Sequence, residues 1–329
     1  MTTRNGTRVI AIEEHFLDAE VKKAMIAGGA KPVGGEMGRR LDDPGELRLK
    51  EMDEAGIDMQ ILSHSPPATQ WLDAAVAVPL ARDVNDRLKQ RVDSNPKRFA
   101  ALATLPTPDP KAAADELERC VDKLGFKGAM IYGLAAGQVF FDDKQFWPIF
   151  ERAAALDVPI YIHPAPPHPT LVDIYLKDYL PEVPNFAGPV WGFTVETATT
   201  AIRMVLSGVF DKHPNLKFVL GHLGETIPYN MHRISEALSR VGATSKRPDA
   251  MTWFGDVFCE HFWIATSGNF STPALTCAMV EMGADRILFA IDWPFVMNQP
   301  GMDWIEELRI SPDDRRKILH GNAEKLFKL

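Results

Sequence analysis

Eight short apolar runs, separated by stretches of helical period, constrain this chain more than any other feature of it. The runs are Val9–His15, Ile57–Ser63, Phe99–Leu105, Lys127–Tyr132, Val158–His163, Leu216–His222, Phe262–Thr266 and Arg286–Asp292. Between them lie Glu46–Ala55, Asp73–Asn95, Pro110–Leu124, Asp143–Leu156, Thr194–Lys212, Thr226–Leu238 and Thr272–Met282, and Pro312–Phe327 closes the series. Strands alternating with helices of this length form right-handed βαβ units in a parallel sheet. A run such as Ala129-Met130-Ile131, apolar on both alternations, requires a sheet covered on both faces. Eight strands close a barrel, so the pattern predicts an α/β (β/α)8 TIM barrel with long βα loops, as one domain over residues 1–329. The competing open, doubly wound sheet would need a glycine-rich phosphate turn or a visible switch point, and no Gly-x-Gly-x-x-Gly follows the first strand. The glycines of Gly28–Gly38 follow a short helical segment without Walker order and read as a flexible loop. Pro164–Gly192 opens too rich in proline for helix or central strand, so it reads as a long loop after the fifth strand, where lids and binding loops occur.

Composition removes several classes of function. A formal net charge of −8 repels phosphate backbones and argues against a nucleic-acid partner. Three cysteines without a Cys-x-x-Cys pair suit a reducing, cytoplasmic setting better than a disulfide framework. No apolar run approaches the ~18 residues that span a bilayer, and no membrane partner is expected.

The histidines fall where this architecture places chemistry. His15, His163 and His222 end the first, fifth and sixth runs, and Asp292 ends the eighth. In a parallel barrel these C-terminal strand ends share one rim, the rim on which catalytic groups collect. Residues two apart on a strand share a face, so Glu13 points with His15 while Glu14 points away to a structural role. Carboxylates and imidazoles without cysteine make a mixed N/O site suited to Zn²⁺ or Mn²⁺ in a catalytic setting. His64 and His168 read as loop-stabilising, and His213, His232, His261 and His320 as structural.

Together and in order, several motifs carry a resemblance. They are Glu13-Glu14-His15, His163, Gly188-Pro189-Val190-Trp191-Gly192-Phe193-Thr194-Val195-Glu196-Thr197-Ala198, Gly221-His222-Leu223-Gly224-Glu225, Asp292-Trp293-Pro294-Phe295 and the closing Gly321–Phe327. From Val9 onward the chain resembles the amidohydrolase-superfamily aromatic acid decarboxylases, the γ-resorcylate (2,6-dihydroxybenzoate) and 2,3-dihydroxybenzoate enzymes in particular. The resemblance implies one divalent ion per chain, Zn²⁺ or Mn²⁺, held by Glu13, His15, His163 and Asp292, with His222 and Glu225 beside it. A single ion fits a fourth strand that ends Ile131-Tyr132-Gly133, where the hydrolases of the superfamily often carry a bridging lysine. It also implies that Arg233 holds a substrate carboxylate and that the protein is a homodimer or homotetramer. One departure is Val296, where the family usually continues with an acidic residue.

The implied activity is metal-dependent, non-oxidative decarboxylation of a small aromatic acid carrying an ortho hydroxyl, a carboxy-lyase reaction that is reversible. A free aryl carbanion is avoided by protonating the ring carbon before carbon dioxide leaves, with Asp292 as donor, His222 and Glu225 tuning the proton, and Trp191, Phe295 and Trp293 walling the ring. Two other readings are a mononuclear metal-dependent hydrolase of lactones or amides and a non-catalytic binding barrel.

Overall fold

The computed structural model describes residues 6–29, 31, 33–43, 45–242 and 254–329. Its strands are β1 (Ile10–Phe16), β2 (Met59–His64), β3 (Phe99–Ala101), β4 (Ala103–Thr104), β5 (Ala129–Tyr132), β6 (Ile160–His163), β7 (Phe218–Leu220), β8 (Phe262–Ala265) and β9 (Ile287–Leu288). Every ladder between them is parallel, in the orders β1-β2-β3 and β4 through β9. The third apolar run is divided between β3 and β4 because its backbone changes partner at Leu102. The Leu102 N–H donates to Leu62 O at 2.9 Å, and the Ala103 N–H donates to Gly128 O at 2.8 Å. The two sheets are therefore eight staves of one (β/α)8 barrel. Its seam lies between β1 and the segment after β9, held by a parallel bridge between Glu14 and Trp293 and by His15 N–H donating to Trp293 O at 2.6 Å.

Alternate residues of the strands enter two cores, as strands covered on both faces require. Ile10, Ile12, Tyr132, Tyr161, Val219 and Ala290 fill the barrel, while Val9, Ala11, Ile131, Ile160, Phe218 and Ile291 pack in the larger outer core. The helices that cover the outside start on chemical cues present in the sequence. Asp109 accepts from Ala112 N–H at 3.0 Å ahead of the helix Pro110–Asp122, and Ser271 caps Thr272–Met282 with proline in the first turn.

Two loop expectations are corrected. Part of the glycine stretch forms the helix Gly35–Leu41. The long segment after β6 is a series of short helical pieces, Pro169–Leu171, Val172–Leu176, Lys177–Tyr179 and Pro184–Ala187, each carrying few local hydrogen bonds and so weak in periodic signal.

Candidate metal centre and active site

A bulge in β1 aims the first two candidate ligands. The register with β2 runs Ile10 to Met59 and Ala11 to Gln60, then jumps to Glu14 opposite Leu62, so one residue is extra. Continued from Ile10 and Ile12, strict alternation would send Glu14 into the barrel and Glu13 and His15 out of it. The bulge reverses the parity. Glu13 and His15 meet His163 and Asp292 with one ligand atom from each, all within 4.8 Å of one another. Glu14 turns instead to the seam, where its carboxylate accepts from Ile291 N–H at 2.9 Å and from Gln60 Nε2 at 3.1 Å.

Each ligand is steered by a neighbour. His163 Nδ1 donates to Pro164 O at 2.7 Å, which leaves Nε2 bare and 3.3 Å from Glu13 Oε1. Ser63 Oγ lies 3.2 Å from His15 Nδ1, leaving His15 Nε2 3.2 Å from Asp292 Oδ1. Tyr161 and Ser267 both donate hydroxyl hydrogens to Glu13 Oε2, so only Oε1 faces the cluster. At Gly221 a Cβ would come within 2.8 Å of Glu13 Oε2, which explains the glycine before His222. Tyr161 was legible in principle, being two residues before His163 on the same strand face. Ser267 and Ser63 carried no signal.

Among the described residues, Glu13 Oε1, His15 Nε2 and Asp292 Oδ1 are buried without a hydrogen-bond partner. Buried polar atoms are normally paired, and three converging orphans are the donor pattern a cation satisfies. Ligands about 2.0–2.2 Å from one ion are about 3–4 Å apart, which matches the separations of the two ligand pairs. The donor set of two carboxylates and two imidazoles therefore fits a single divalent ion. Burial, with the nearby His15, holds the His163 imidazole down at about 3, so it is neutral as a ligand must be. Burial raises the Asp292 carboxyl, but the His15 and His222 imidazoles beside it outweigh burial and leave it at about 2, ionised.

His222 and Glu225 sit on a turn of unusual backbone. His222, Leu223, Gly224, Glu225 and Thr226 all have φ between 50° and 79°, and Asp292 has φ 72°. Left-handed conformations cost non-glycine residues about 1–2 kcal/mol each, so surrounding contacts must sustain them. Leu223 N–H donates to Ala265 O at 2.8 Å, Gly224 N–H to Gly221 O at 2.8 Å, and Asn269 Nδ2 to His222 O at 3.2 Å. The turn brings His222 Nδ1 to 2.6 Å from Glu225 Oε1 and His222 Nε2 to 3.8 Å from Asp292 Oδ2. Burial disfavours the charged imidazole, yet Glu225 and then Asp292 hold it well above its ordinary value. The imidazole is a quarter exposed and borders a cavity of about 610 Å³ that Leu223, Tyr229, Asn269 and Cys277 also line.

The remaining site candidates separate. Phe295 is 41% exposed with its ring 5.5 Å from that of His15, on the open side of the cluster. Trp191, about half exposed, heads the helix Gly192–Ser207. Trp293 is corrected from pocket wall to core: it is fully buried, with the Arg48 guanidinium 4.0 Å over its ring. Arg233 is not brought to the cluster. It is exposed on the helix Ile227–Gly242, in an outer groove with Ala198, Ile202 and Asn230. Helical phase, which the spacing from His222 alone did not weigh, turns it outward. His64 is fully buried, pushed down to about 4 chiefly by burial, and accepts from Asp18 N–H at 3.1 Å, in keeping with a loop-holding role.

Residues 10–329 match the Amidohydrolase family. The chain is 44% identical over 328 residues to the γ-resorcylate decarboxylase of Polaromonas sp. strain JS666, covering 97% of this chain and 98% of that one. It is similar to the crystal structure of a 2,6-dihydroxybenzoate decarboxylase complexed with 2,6-dihydroxybenzoate, at TM-score 0.87 and 41% identity, covering 98% of this chain and 100% of that one. A dihydroxybenzoic acid decarboxylase from Polaromonas sp. JS666, with bound manganese and the inhibitor 2-nitroresorcinol, superposes at TM-score 0.89 and 44% identity, covering 98% and 97%.

Proposed function

The chain belongs to the amidohydrolase family, and on that premise we propose that it is a carboxy-lyase catalysing metal-dependent, non-oxidative decarboxylation of an ortho-hydroxybenzoate, with 2,6-dihydroxybenzoate the first substrate to test. The observation that carries this reading is the convergence of three unpartnered buried ligand atoms beside a His222–Glu225 pair that points at Asp292. Glu13, His15, His163 and Asp292 would hold one ion, and the manganese of the similar Polaromonas enzyme favours Mn²⁺ over Zn²⁺. Bound there, the ion supplies positive charge and fixed positions for substrate oxygens.

The side chains manage the proton. Glu225 orients His222 through Nδ1 and favours its charged form, leaving Nε2–H directed at Asp292 Oδ2. The phenolic proton of the substrate replenishes this pair, and Asp292 delivers a proton to the ring carbon that carries the carboxylate. The carbon–carbon bond then breaks, its electron pair restores the aromatic ring, and carbon dioxide leaves. Phe295 and Trp191 would flank the ring and limit water. The three cysteines are free, in keeping with a cytoplasmic protein, and no described helix is long and apolar enough to cross a membrane. We assign the whole chain to one barrel domain that works as a homodimer or homotetramer.

The test is carbon dioxide release from 2,6-dihydroxybenzoate, salicylate and benzoate by manganese-loaded protein. Release from ortho-hydroxylated acids but not from benzoate is expected. Hydrolysis of lactones or amides without carbon dioxide release would favour the hydrolase reading instead.

A further inference from the structure

The seam of the barrel divides the metal cluster: Glu13 and His15 lie on β1, while Asp292 follows β9 across a joint with little ladder of its own. Arg48, fully buried on the helix Glu46–Ala55, touches both sides of that joint. Its Nη2 donates to the His15 carbonyl, and its guanidinium lies 4.0 Å over the ring of Trp293, the residue after Asp292. Its Nη1 donates to Gln60 Oε1 at 3.0 Å, Gln60 Nε2 donates to Glu14 at 3.1 Å, and Glu14 accepts from the N–H of Ile291, the residue before Asp292, at 2.9 Å. Trp293 is held further through Nε1, which donates to Glu51 Oε2 at 2.8 Å. Asp292 is thus clamped on both flanks, at a φ of 72° whose left-handed conformation carries a cost that these contacts offset.

We propose that Arg48 is a positioning residue for the metal centre: by bridging the His15 carbonyl and the Trp293 ring, with Gln60 and Glu14 completing the clasp, it sets the placement of Asp292 against Glu13 and His15. Lysine cannot replace it in full, since one ammonium reaches neither two acceptors in a fixed fork nor a planar stack on indole. The inference rests on the proposed function only for the presence and identity of the ion.

The experiment measures Mn²⁺ binding to apo-protein by titration calorimetry, together with the electron paramagnetic resonance spectrum of the bound ion and the thermal melt. Arg48→Met is expected to weaken manganese binding 10- to 100-fold, about what loss of an outer partner of metal ligands costs, and to alter the spectrum. Arg48→Lys should fall between it and wild type. Asn85→Ala is the control. Asn85 is another fully buried hub, bonded to Thr104 and Glu116, and its loss should lower the melting temperature while leaving affinity and spectrum unchanged. Wild-type affinity and spectrum in either folded Arg48 variant would overturn the assignment. If Arg48→Met does not fold, Arg48→Lys decides; failure of both to fold would make Arg48 a purely structural residue. A wild-type chain that binds manganese yet releases no carbon dioxide would overturn the decarboxylase reading and leave Arg48 standing, whereas one that binds no divalent ion overturns both.

Discussion

Asp292 carries the most chemistry of any single residue here, because one carboxylate offers Oδ1 to the cluster and Oδ2 to His222. Asparagine keeps its size and a ligating oxygen but has no acidic proton to pass on. Asp292→Asn is therefore expected to retain manganese, bound more weakly, while decarboxylation falls by about 10²–10⁴ or more. Activity and metal occupancy must be read on the same preparation. A metal-loaded variant keeping more than about a tenth of wild-type turnover would pass the role of donor to His222. Glu13 shows how a neighbour makes a ligand: Tyr161 and Ser267 occupy Oε2, so the remaining oxygen has one direction to face.

At the scale of elements, the helix Gly192–Ser207 presents the buried Glu196 to the rim. Its Oε1 accepts from Thr200 Oγ1 at 2.8 Å, and its Oε2 lies beside Gly133 without a partner among the described residues. Burial raises this carboxyl to about 7, the Glu225 charge adding to the shift and the Thr200 hydrogen bond opposing it. Because the folded value lies above the ordinary 4.5, the native state binds more protons than the unfolded chain between those two values. The contribution of Glu196 to stability is complete below about pH 4.5 and is lost as pH rises through about 7. Glu196→Gln should remove that loss, making the variant relatively more stable at pH 8 than at pH 5 by on the order of 3 kcal/mol. Parallel stability curves for the two proteins across that range, from chemical denaturation of the apo forms, would show that Glu196 does not titrate there.

At the scale of the whole molecule, Arg233 can serve a substrate carboxylate only if assembly presents it to the site of a neighbouring copy, since its own fold turns it outward. On the proposed oligomer, Arg233→Met should weaken acid binding by about 1.5–3 kcal/mol, the scale of a lost charged hydrogen bond. Unchanged affinity in an assembled, folded variant would return Arg233 to the surface. The sequence by itself determined the architecture, because both-sided apolar runs alternating with helices have few other ways to bury themselves, as Ala129–Ile131 shows. It also determined that Glu13 and His15 share a face and that Glu14 opposes them, because strand periodicity is local. Tertiary structure alone decided that this face is the barrel interior, since the bulge that reverses the parity after Ile12 exists only in the register with β2. The seam was equally illegible: Arg48, Gln60, Glu14 and Trp293 are far apart in sequence, and their buried charges and hydrogen-bonding groups become partners only when the last strand returns to the first.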